Sequence, residues 1–259
     1  MIGRIIRFDK TLSKTEKFYI GIFGMPINGL RIRARRILPL ITSGYKNIMD
    51  AGCGQGVFTF ELAKKFPDIK ITGIDIDKNA LEINKDIAQI NELTNCNFEY
   101  QDITKMEVKD RFDLIITVDN LEHIEDDVDA LKRFYRALVP GGEIIIHVPG
   151  YYRRWLFFGW SVNFDVEGHY RPGYTIEEIE KKVKDADFQI ITSYYTYGWL
   201  ETITNNISYW ITGARMKNKY LYSFIFPFLL FVSYFGKNSK PKKGAGVLIK
   251  AKKTINKYL

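Results

Sequence analysis

The sequence is poor in cysteine and lacks an apolar N-terminus, and each shortage excludes a class of protein. Its 259 residues include two cysteines, Cys53 and Cys96, so no disulfide framework is predicted and a reducing compartment is expected. The opening segment MIGRIIRFDK is charged and lacks the apolar run of a signal peptide. We therefore expect a cytoplasmic protein, with the inner face of the membrane as a candidate place of peripheral attachment.

Histidine is also scarce, with three residues in the chain. No group of His, Cys and Asp has the spacing of metal ligands, and the pair Glu122-His123 alone is too little for a metal site. The sequence therefore predicts no metal centre.

Long apolar runs are few, and the run Leu221–Gly236 has only 16 residues and contains Pro227. A membrane-spanning helix needs about 20 residues. If Gly246–Ala251 returns to a central sheet as a strand, both ends of the run also lie on the same side of any membrane. An interfacial helix and a buried lid helix both remain open.

The net charge of +8 is unevenly distributed along the chain. Residues 1–46 have a net charge of +8 and residues 200–259 a net charge of +10, whereas residues 47–199 have a net charge of −10. Both basic ends are rich in aromatic residues. This asymmetry points to an anionic partner for the ends, such as a membrane surface, a phosphorylated substrate or a nucleic acid. Ordinary solvated lysines would give the same pattern.

The acidic centre alternates short apolar segments with longer amphipathic ones, which predicts parallel strands joined by helices. The predicted strands are Asn47–Ala51, Lys70–Ile74, Asn97–Tyr100, Phe112–Val118, Glu143–Val148, Gln189–Thr196 and Gly246–Ala251. The predicted helices are Val57–Phe66, Lys78–Ile90, Asp127–Leu138 and one that begins at Thr175, with Glu178 completing a capping box. We expect an α/β, Rossmann-like, doubly wound sheet.

This alternation of predicted strands and helices divides the chain into three parts. Residues 1–46 are predicted to form a basic helical extension, and residues 47–198 the ligand-binding core. Residues 199–259 are predicted to hold an aromatic and basic helical insertion, acting as a lid or a membrane-interface element, followed by the last strand.

The segment Ile48–Gly56 (IMDAGCGQG) runs from an apolar strand into a glycine-rich turn. Glycines let the backbone turn tightly and approach a ligand closely, because no Cβ intervenes. The spacing of Gly52, Gly54 and Gly56 is G-x-G-x-G, whereas a dinucleotide-binding fold has G-x-G-x-x-G. This turn therefore indicates a bound ligand other than a dinucleotide.

Acids end four successive predicted strands: Asp50, Asp75, Asp102 and Asp119. An acid about 20 residues beyond a glycine loop, such as Asp75, suits hydrogen bonding to a ribose diol. Asp102 could accept from an adenine amino group, and Asp119 lies at the edge where open α/β sheets bind ligands. Helix capping explains any one of these acids more easily than all four.

These residues carry a family resemblance. The segments MDAGCGQG, GIDID, EYQDI, FDLIITVDNLEHI and LVPGGEIIIHVPG resemble, in order and spacing, the motifs of class I S-adenosylmethionine (SAM)-dependent methyltransferases. The resemblance implies a seven-stranded sheet with an antiparallel last strand, SAM as cofactor and S-adenosylhomocysteine as product. The glycine turn, the strand ends and the resemblance together predict the cofactor-binding residues Asp50, Gly52, Cys53, Gly54, Gly56, Asp75, Ile76, Asp102, Ile103, Asp119, Asn120 and Leu121.

Methyl transfer from a sulfonium is an in-line displacement, and positioning of the acceptor can supply most of the catalysis. A general base is needed only if the acceptor holds its proton tightly. His123 is the first candidate base, with a purely structural role as the alternative. His169 is the second, either as a base or as an anion contact. His147 lies in a buried strand and is predicted to line the core or a cavity.

The acceptor side is indicated by composition and by a narrower resemblance. Residues 168–188 (GHYRPGYTIEEIEKKVKDADF) resemble a segment of small-molecule and lipid-type methyltransferases. Arg171 in this segment and Tyr151 before it are predicted to contact the substrate. The extension, Tyr151–Trp160 and Lys217–Lys243 mix bases with aromatics, which suits a membrane interface.

The sequence thus predicts a SAM-dependent methyltransferase for a small-molecule, lipid or lipid-linked acceptor, acting at an anionic membrane surface. Motifs of the Asn/Asp-Pro-Pro-Tyr type and a catalytic Pro-Cys pair are absent, and no nucleic-acid module is recognisable, so a nucleic-acid substrate is not expected. An RNA methyltransferase that grips RNA with its basic ends and a non-catalytic SAM-binding protein are the alternatives.

Overall fold

A seven-stranded mixed sheet organises the chain. The computed structural model describes residues 1–155, 159–163, 168–213 and 218–254. The strands are β1 Asn47–Ala51, β2 Lys70–Asp75, β3 Cys96–Tyr100, β4 Phe112–Val118, β5 Leu138–Pro149, β6 Tyr152–Trp155, β7 Gly159–Val162, β8 Phe188–Thr196 and β9 Gly246–Lys253. Strands β6 and β7 form a separate two-stranded antiparallel sheet that the sequence did not predict.

The order of strands in the sheet is β3-β2-β1-β4-β5-β9-β8. Strand β9 pairs antiparallel with both β5 and β8, and the other pairs in the sheet are parallel. The central strands are predominantly apolar (β4 reads FDLIITV), as expected where helices cover both faces. The predicted doubly wound sheet with an antiparallel last strand is confirmed.

Eight α-helices are assigned within the described ranges. They are α1 Lys14–Phe23, α2 Asn28–Ile37, α3 Val57–Lys65, α4 Lys78–Ile90, α5 Asp127–Ala137, α6 Ile176–Asp185, α7 Trp199–Thr212 and α8 Lys219–Tyr234. Helix α6 begins with the predicted capping box, since the Thr175 hydroxyl accepts from the Glu178 amide and the Glu178 carboxylate accepts from the Thr175 amide. Short 3-10 turns follow β3 and β4.

The predicted start of β5 shows the largest departure from the structure, whereas the other predicted bounds differ by a residue or two or not at all. Helix α5 ends at Ala137, but β5 begins at Leu138 and runs through Pro140-Gly141-Gly142, whereas the prediction placed its start at Glu143. Phe112 pairs with Leu138 and Leu114 with Glu143, so a bulge in the β4–β5 register accommodates the extra residues. Gly141 has a φ of +79°, which only a glycine adopts easily at such a bulge.

The basic extension is built into the hydrophobic core. Ala34, Ile37 and Ile41 pack in one cluster with Ile48 of β1 and Ile116 of β4. The opposite face of the sheet packs Met49 and Ile115 among residues of α5 and α6. Since side chains alternate along a strand, successive residues of β1 supply the two cores.

The run Leu221–Gly236 forms most of α8, which packs against α7 and α2. Its inner face buries Tyr222, Phe226 and Leu229. Its outer face leaves Phe224 at 86% exposure and Phe228 at 66% exposure. Within the described ranges, no helix combines the length and apolarity needed to cross a membrane. Residues 156–158 of Tyr151–Trp160, and Lys217, lie outside the described residues.

Candidate active site

The glycine loop joins β1 to α3 at the carboxyl edge of the sheet. Gly52, Gly54 and Gly56 have φ values of +76°, +49° and +69°. The amides of Gly52 and Cys53 donate to the Ile74 carbonyl over 2.9 and 3.0 Å. The loop is therefore fastened to the end of β2, which holds its remaining amides in a fixed arrangement.

Two of these glycines differ in what surrounds them. A Cβ on Gly52 would lie 2.6 Å from the Asn120 side chain, so Gly52 lets β4's loop pack against the turn. A Cβ on Gly54 would meet no atom within 4 Å. The Gly54 amide donates to the Asp75 carboxylate over 2.8 Å. Gly54 thus faces open space beside Asp75, where a ligand can approach.

Asp50 lies beneath the loop. Its side chain is buried and accepts from the Thr59 amide at 3.1 Å and the Thr59 hydroxyl at 2.7 Å. Burial raises the pKa of Asp50 to about 6, against the opposing effect of the two Thr59 hydrogen bonds. The carboxylate anchors α3 under the loop. Because it is buried, it would attract a cationic ligand through its negative charge and not through a direct contact.

The residues predicted for the adenosine half are differently placed. Ile76 is 65% exposed next to Asp75, as an apolar contact for a ligand requires. Asp102 caps a 3-10 turn, where one carboxylate oxygen accepts from the Thr104 amide and hydroxyl. Ile103 is buried in the core. Asp102 therefore makes the hydrogen bonds of a helix-capping residue, and its contact with an adenine stays a prediction.

Asp119 follows β4 with a φ of +49° and sits in a charged network. Its carboxylate lies 2.7 Å from Arg33 Nη1 and 2.7 Å from His147 Nδ1. Burial opposes ionisation of Asp119, but Arg33 and His147 outweigh it, and its pKa lies below the ordinary value. His147 also contacts the Thr196 hydroxyl at 3.0 Å, and burial lowers its pKa. His147 is thus buried with both ring nitrogens in contact with a partner, as predicted for a residue that lines the core or a cavity.

A cavity of about 200 Å³ opens beside this network. Arg33 reaches it from α2 and Arg153 from β6, so two guanidinium groups line the cavity. Sequence reasoning missed both, since a basic extension does not reveal which of its arginines turns inward. The polar lining residues are Arg33, Asp119, His147, Arg153, Asn163, His169, Tyr197 and Asn205.

The two candidate bases lie together, and one of them, His169, lines this cavity. The rings of His123 and His169 are 4.3 Å apart between centroids and nearly perpendicular. His123 Nδ1 lies 3.0 Å from the Gly168 carbonyl. Glu122, which the sequence did not single out, is 1% exposed beside them. Burial and the nearby Asp119 raise the pKa of Glu122 well above its ordinary value.

The predicted substrate residues have structural partners. The Arg171 guanidinium donates to Asp127 Oδ2 at 2.6 Å and to the Glu125 carbonyl at 2.7 Å, among other acceptors. The Tyr151 amide donates to the Tyr174 carbonyl. Neither residue lines the cavity described above. Their contact with a substrate stays a prediction.

The remaining cofactor residues divide between loop and core. Cys53 lies in the loop, and burial raises the pKa of its thiol, which makes it a packing residue rather than a nucleophile. Asn120 packs on Gly52, and Leu121 is fully buried. The structure thus brings Asp50, the three glycines and Asp75 together at one edge.

Sheet order, glycine loop and strand-end acids together are those of class I SAM-dependent methyltransferases. Residues 42–165 match a family profile described as a methyltransferase domain. The chain therefore contains a class I SAM-dependent methyltransferase domain, and SAM is the cofactor of this class.

Individual relatives agree with this class. The chain is 36% identical over 102 residues to phosphoethanolamine N-methyltransferase 3 of Arabidopsis thaliana, covering 39% of this chain and 20% of that protein. It is 33% identical over 115 residues to a ubiquinone biosynthesis O-methyltransferase of Coxiella burnetii, covering 44% of this chain and 47% of that protein. The matches thus span less than half of either relative.

A solved structure supports the fold. The SAM complex of phosphoethanolamine N-methyltransferase 2 from Haemonchus contortus superposes with a TM-score of 0.60 and 18% identity. The superposition covers 98% of this chain and 60% of that one.

Proposed function

We propose that this protein transfers the methyl group of SAM to a small-molecule acceptor that enters the cavity beside Asp119. The observation that carries the proposal is the open space at Gly54 next to the Asp75 carboxylate, on the same sheet edge as the cavity. A loop with an open approach on one side and a polar cavity on the other suits two ligands that meet end to end.

The cofactor is proposed to lie over the glycine loop. Asp75 accepts from the ribose hydroxyls, with Ile76 against the adenine and Asp102 and Ile103 beyond it. Gly52, Cys53, Gly54 and Gly56 form the floor under the methionine half, and Asp50 supplies negative charge beneath the floor. The wall on the cavity side is proposed to consist of Asp119, Asn120 and Leu121.

The acceptor is proposed to carry an anionic group. Arg33 and Arg153 line the cavity from two different elements, and each would complement a phosphate or carboxylate. Arg33 already pairs with Asp119, so an incoming anion would share this guanidinium. Tyr151 and Arg171 flank the entrance in this proposal, and His123 and His169 are the candidate bases.

Isothermal titration with SAM tests the cofactor site directly. Wild-type protein should bind SAM saturably and should not bind NAD. Asp75→Ala removes the ribose acceptor and should weaken SAM binding by at least about tenfold, or ~1.4 kcal/mol. Asp68→Ala, an exposed loop change away from the site, is the matched control and should bind like wild type. Equal SAM affinity in wild type and Asp75→Ala would contradict the proposal.

We further propose that the outer face of α8 rests on an anionic membrane surface. This face exposes Phe224, Phe228 and Phe231, and exposed lysines 240, 242 and 243 follow the helix. Aromatic rings and lysines side by side suit the headgroup level of a bilayer. A lipid or lipid-linked acceptor would then reach the enzyme from the membrane.

The parts 1–46, 47–198 and 199–259 are retained as the proposed organisation of the chain.

Co-sedimentation with phosphatidylglycerol vesicles at low salt tests the surface. The double variant Phe224→Ser, Phe228→Ser should bind about tenfold less tightly, since each buried methylene contributes ~0.8 kcal/mol. Ile90→Ser with Tyr100→Ser removes two exposed apolar groups elsewhere and is the control. Equal vesicle binding by both double variants would rule the α8 face out.

A further inference from the structure

A cluster of three ligand-type side chains lies at the wall of the acceptor cavity. One carboxylate oxygen of Glu122 and one ring nitrogen each of His123 and His169 lie within 4.8 Å of one another. His169 lines the cavity, so the cluster borders the space assigned to the acceptor. The sequence predicted no metal site because His169 is far along the chain from the Glu122-His123 pair.

The fold holds these three residues in place through the backbone. The Tyr170 amide donates to the Glu122 carbonyl over 2.9 Å, which ties the segment after Gly168 to the turn after β4. Arg171 adds hydrogen bonds to the carbonyls of Leu121 and Ile124. The cluster therefore does not depend on side-chain contacts alone.

His123 has the second contact of a metal-binding histidine. Its Nδ1 lies 3.0 Å from the Gly168 carbonyl, a contact that requires the proton on Nδ1. In the neutral ring the lone pair then resides on Nε2, which is the atom that would bind a cation. Metal-binding histidines commonly donate their other ring nitrogen to a carbonyl in this way.

Glu122 has a buried carboxylate oxygen that lacks a hydrogen-bond donor in the part of the chain that the structure describes. Its side chain is 1% exposed, and no hydrogen-bond donor of the described residues reaches Oε2. A buried carboxylate oxygen without a donor is costly. A cation between the carboxylate and the two imidazoles would satisfy this oxygen.

We propose that Glu122, His123 and His169 bind a divalent transition-metal ion, and that this ion binds the oxygen of a hydroxyl or phenol acceptor. Two imidazoles and one carboxylate suit Zn²⁺, Co²⁺ or Fe²⁺ and leave coordination positions open. This inference rests on the proposed methyl transfer and narrows its acceptor to an oxygen nucleophile. In this proposal His123 and His169 act as metal ligands and not as general bases.

The chemistry balances without an added oxidant or reductant. The metal lowers the pKa of the bound hydroxyl, whose proton passes to water. The resulting oxygen anion attacks the methyl carbon of SAM, a C–O bond forms, and the C–S bond breaks. The electron pair of that bond stays on sulfur, which gives S-adenosylhomocysteine.

Titration of chelator-treated protein tests the site without any turnover. Wild-type protein should bind one Zn²⁺ per chain by calorimetry, and Co²⁺ should give visible absorption bands. Glu122→Gln and His123→Asn should each weaken Zn²⁺ binding by at least about tenfold. Glu125→Gln, an exposed glutamate three residues along, is the matched control and should bind like wild type. Thermal melts of each variant identify any that fail to fold, and His169→Asn is then the second test.

Several outcomes would overturn the proposal. The site is excluded if wild type lacks one-to-one binding, or if the folded ligand variants bind Zn²⁺ as tightly as Glu125→Gln does. Catechol, a bidentate oxygen ligand, should shift the Co²⁺ bands, and unchanged bands would overturn the acceptor assignment. SAM titration of the same samples separates the two proposals. Wild-type protein that binds Zn²⁺ but not SAM would refute the methyl-transfer proposal and the acceptor role built on it, but not the metal site itself.

Discussion

The backbone at Gly52, Gly54 and Asp119 adopts positive φ at three points around the proposed cofactor. Glycine adopts this conformation without penalty, whereas Asp119 does so with strain of about 1–2 kcal/mol. The strain at Asp119 is offset by its contacts with Arg33 and His147. Positive φ at a non-glycine residue of the site aims its carboxylate at the cavity.

Alanine at two of these glycines should separate folding from binding. Gly52→Ala places a Cβ 2.6 Å from Asn120, so both stability and SAM affinity should fall. Gly54→Ala meets no protein atom and should cost only the ~1–2 kcal/mol of its positive φ. Its methyl group would occupy the ligand approach, so SAM affinity should still drop at least about tenfold.

Thermal melts and SAM titration of the two variants check this expectation. Gly159→Ala, also at positive φ with open space around it, is the control for strain without ligand contact. If Gly54→Ala binds SAM as tightly as Gly159→Ala does, the ligand does not cross the loop at Gly54.

The raised pKa of Asp50 predicts a pH dependence. Above pH 6 the carboxylate is charged and attracts the cationic methionine end of SAM; below pH 6 it is neutral. SAM affinity should therefore fall by about tenfold as pH drops from 7 to 5. The same raised pKa makes the fold gain stability from this group as pH falls through 6, because the folded state holds the proton more tightly.

Asp50→Asn isolates this effect. The amide oxygen can still accept from Thr59, so the fold should persist. SAM affinity should be low at both pH values and should lose the part of the pH dependence due to Asp50. Calorimetric titrations at pH 5, 6 and 7 measure it, and an unchanged pH dependence in Asp50→Asn would assign it to another group.

The glycines and Asp75 could be found from the sequence because their roles depend on the local backbone. Spacing along the chain places them at one turn and one strand end. Arg33 and Glu122 could not be found this way. Arg33 is one of several arginines in α2, and the sequence does not show which of them faces the site. Glu122 becomes a candidate ligand only because the fold brings His169 beside it.

At the scale of elements, α2 connects the extension, the insertion and the core. Arg36 lies 2.5 Å from Glu201 at the start of α7, with both side chains almost fully buried. Arg36 also donates to the carbonyls of Gly236 and Ser239. One buried guanidinium thus joins α2 to both ends of the helical insertion.

Removal of one partner should be severe, because the other charge stays buried. We expect Glu201→Ala to lower the free energy of unfolding by about 3–5 kcal/mol, measured by urea denaturation. Asp86→Ala removes the partner of Lys10 in an exposed ion pair and should have no measurable effect. Similar losses in the two variants would mean that burial of the pair does not stabilise the contact between α2 and α7.

Element types were predictable where the apolar pattern was clear, as in the nearly continuous apolar run of β4 and the amphipathic segment of α4, whose bounds match the structure. The start of β5 was not, because Pro-Gly-Gly usually interrupts a strand. Pairing across the bulge with β4 overrode the local signal. Strands β6 and β7 were not predicted either, because neither has the alternation of apolar and polar residues that would reveal a strand.

At the scale of the whole molecule, ion pairs within the chain neutralise part of the charge asymmetry. Lys10 pairs with Asp86, Lys250 with Glu143, and Lys253 with Asp110. Each pair joins a basic end of the chain to its acidic centre. Positive and negative charges are therefore less separated on the folded surface than along the sequence. The basic groups near α8 that have no part in these three pairs are the ones proposed to contact a membrane.

The place of β9 between β5 and β8 has a consequence for the order of synthesis. The ribosome completes β8 and both helices of the insertion before it makes the strand that joins β8 to the sheet. Until then, β5 and β8 each present an unpaired edge able to pair with other chains. A newly made chain is thus most prone to aggregate in this interval, and a chaperone that covers strand edges would act on it then.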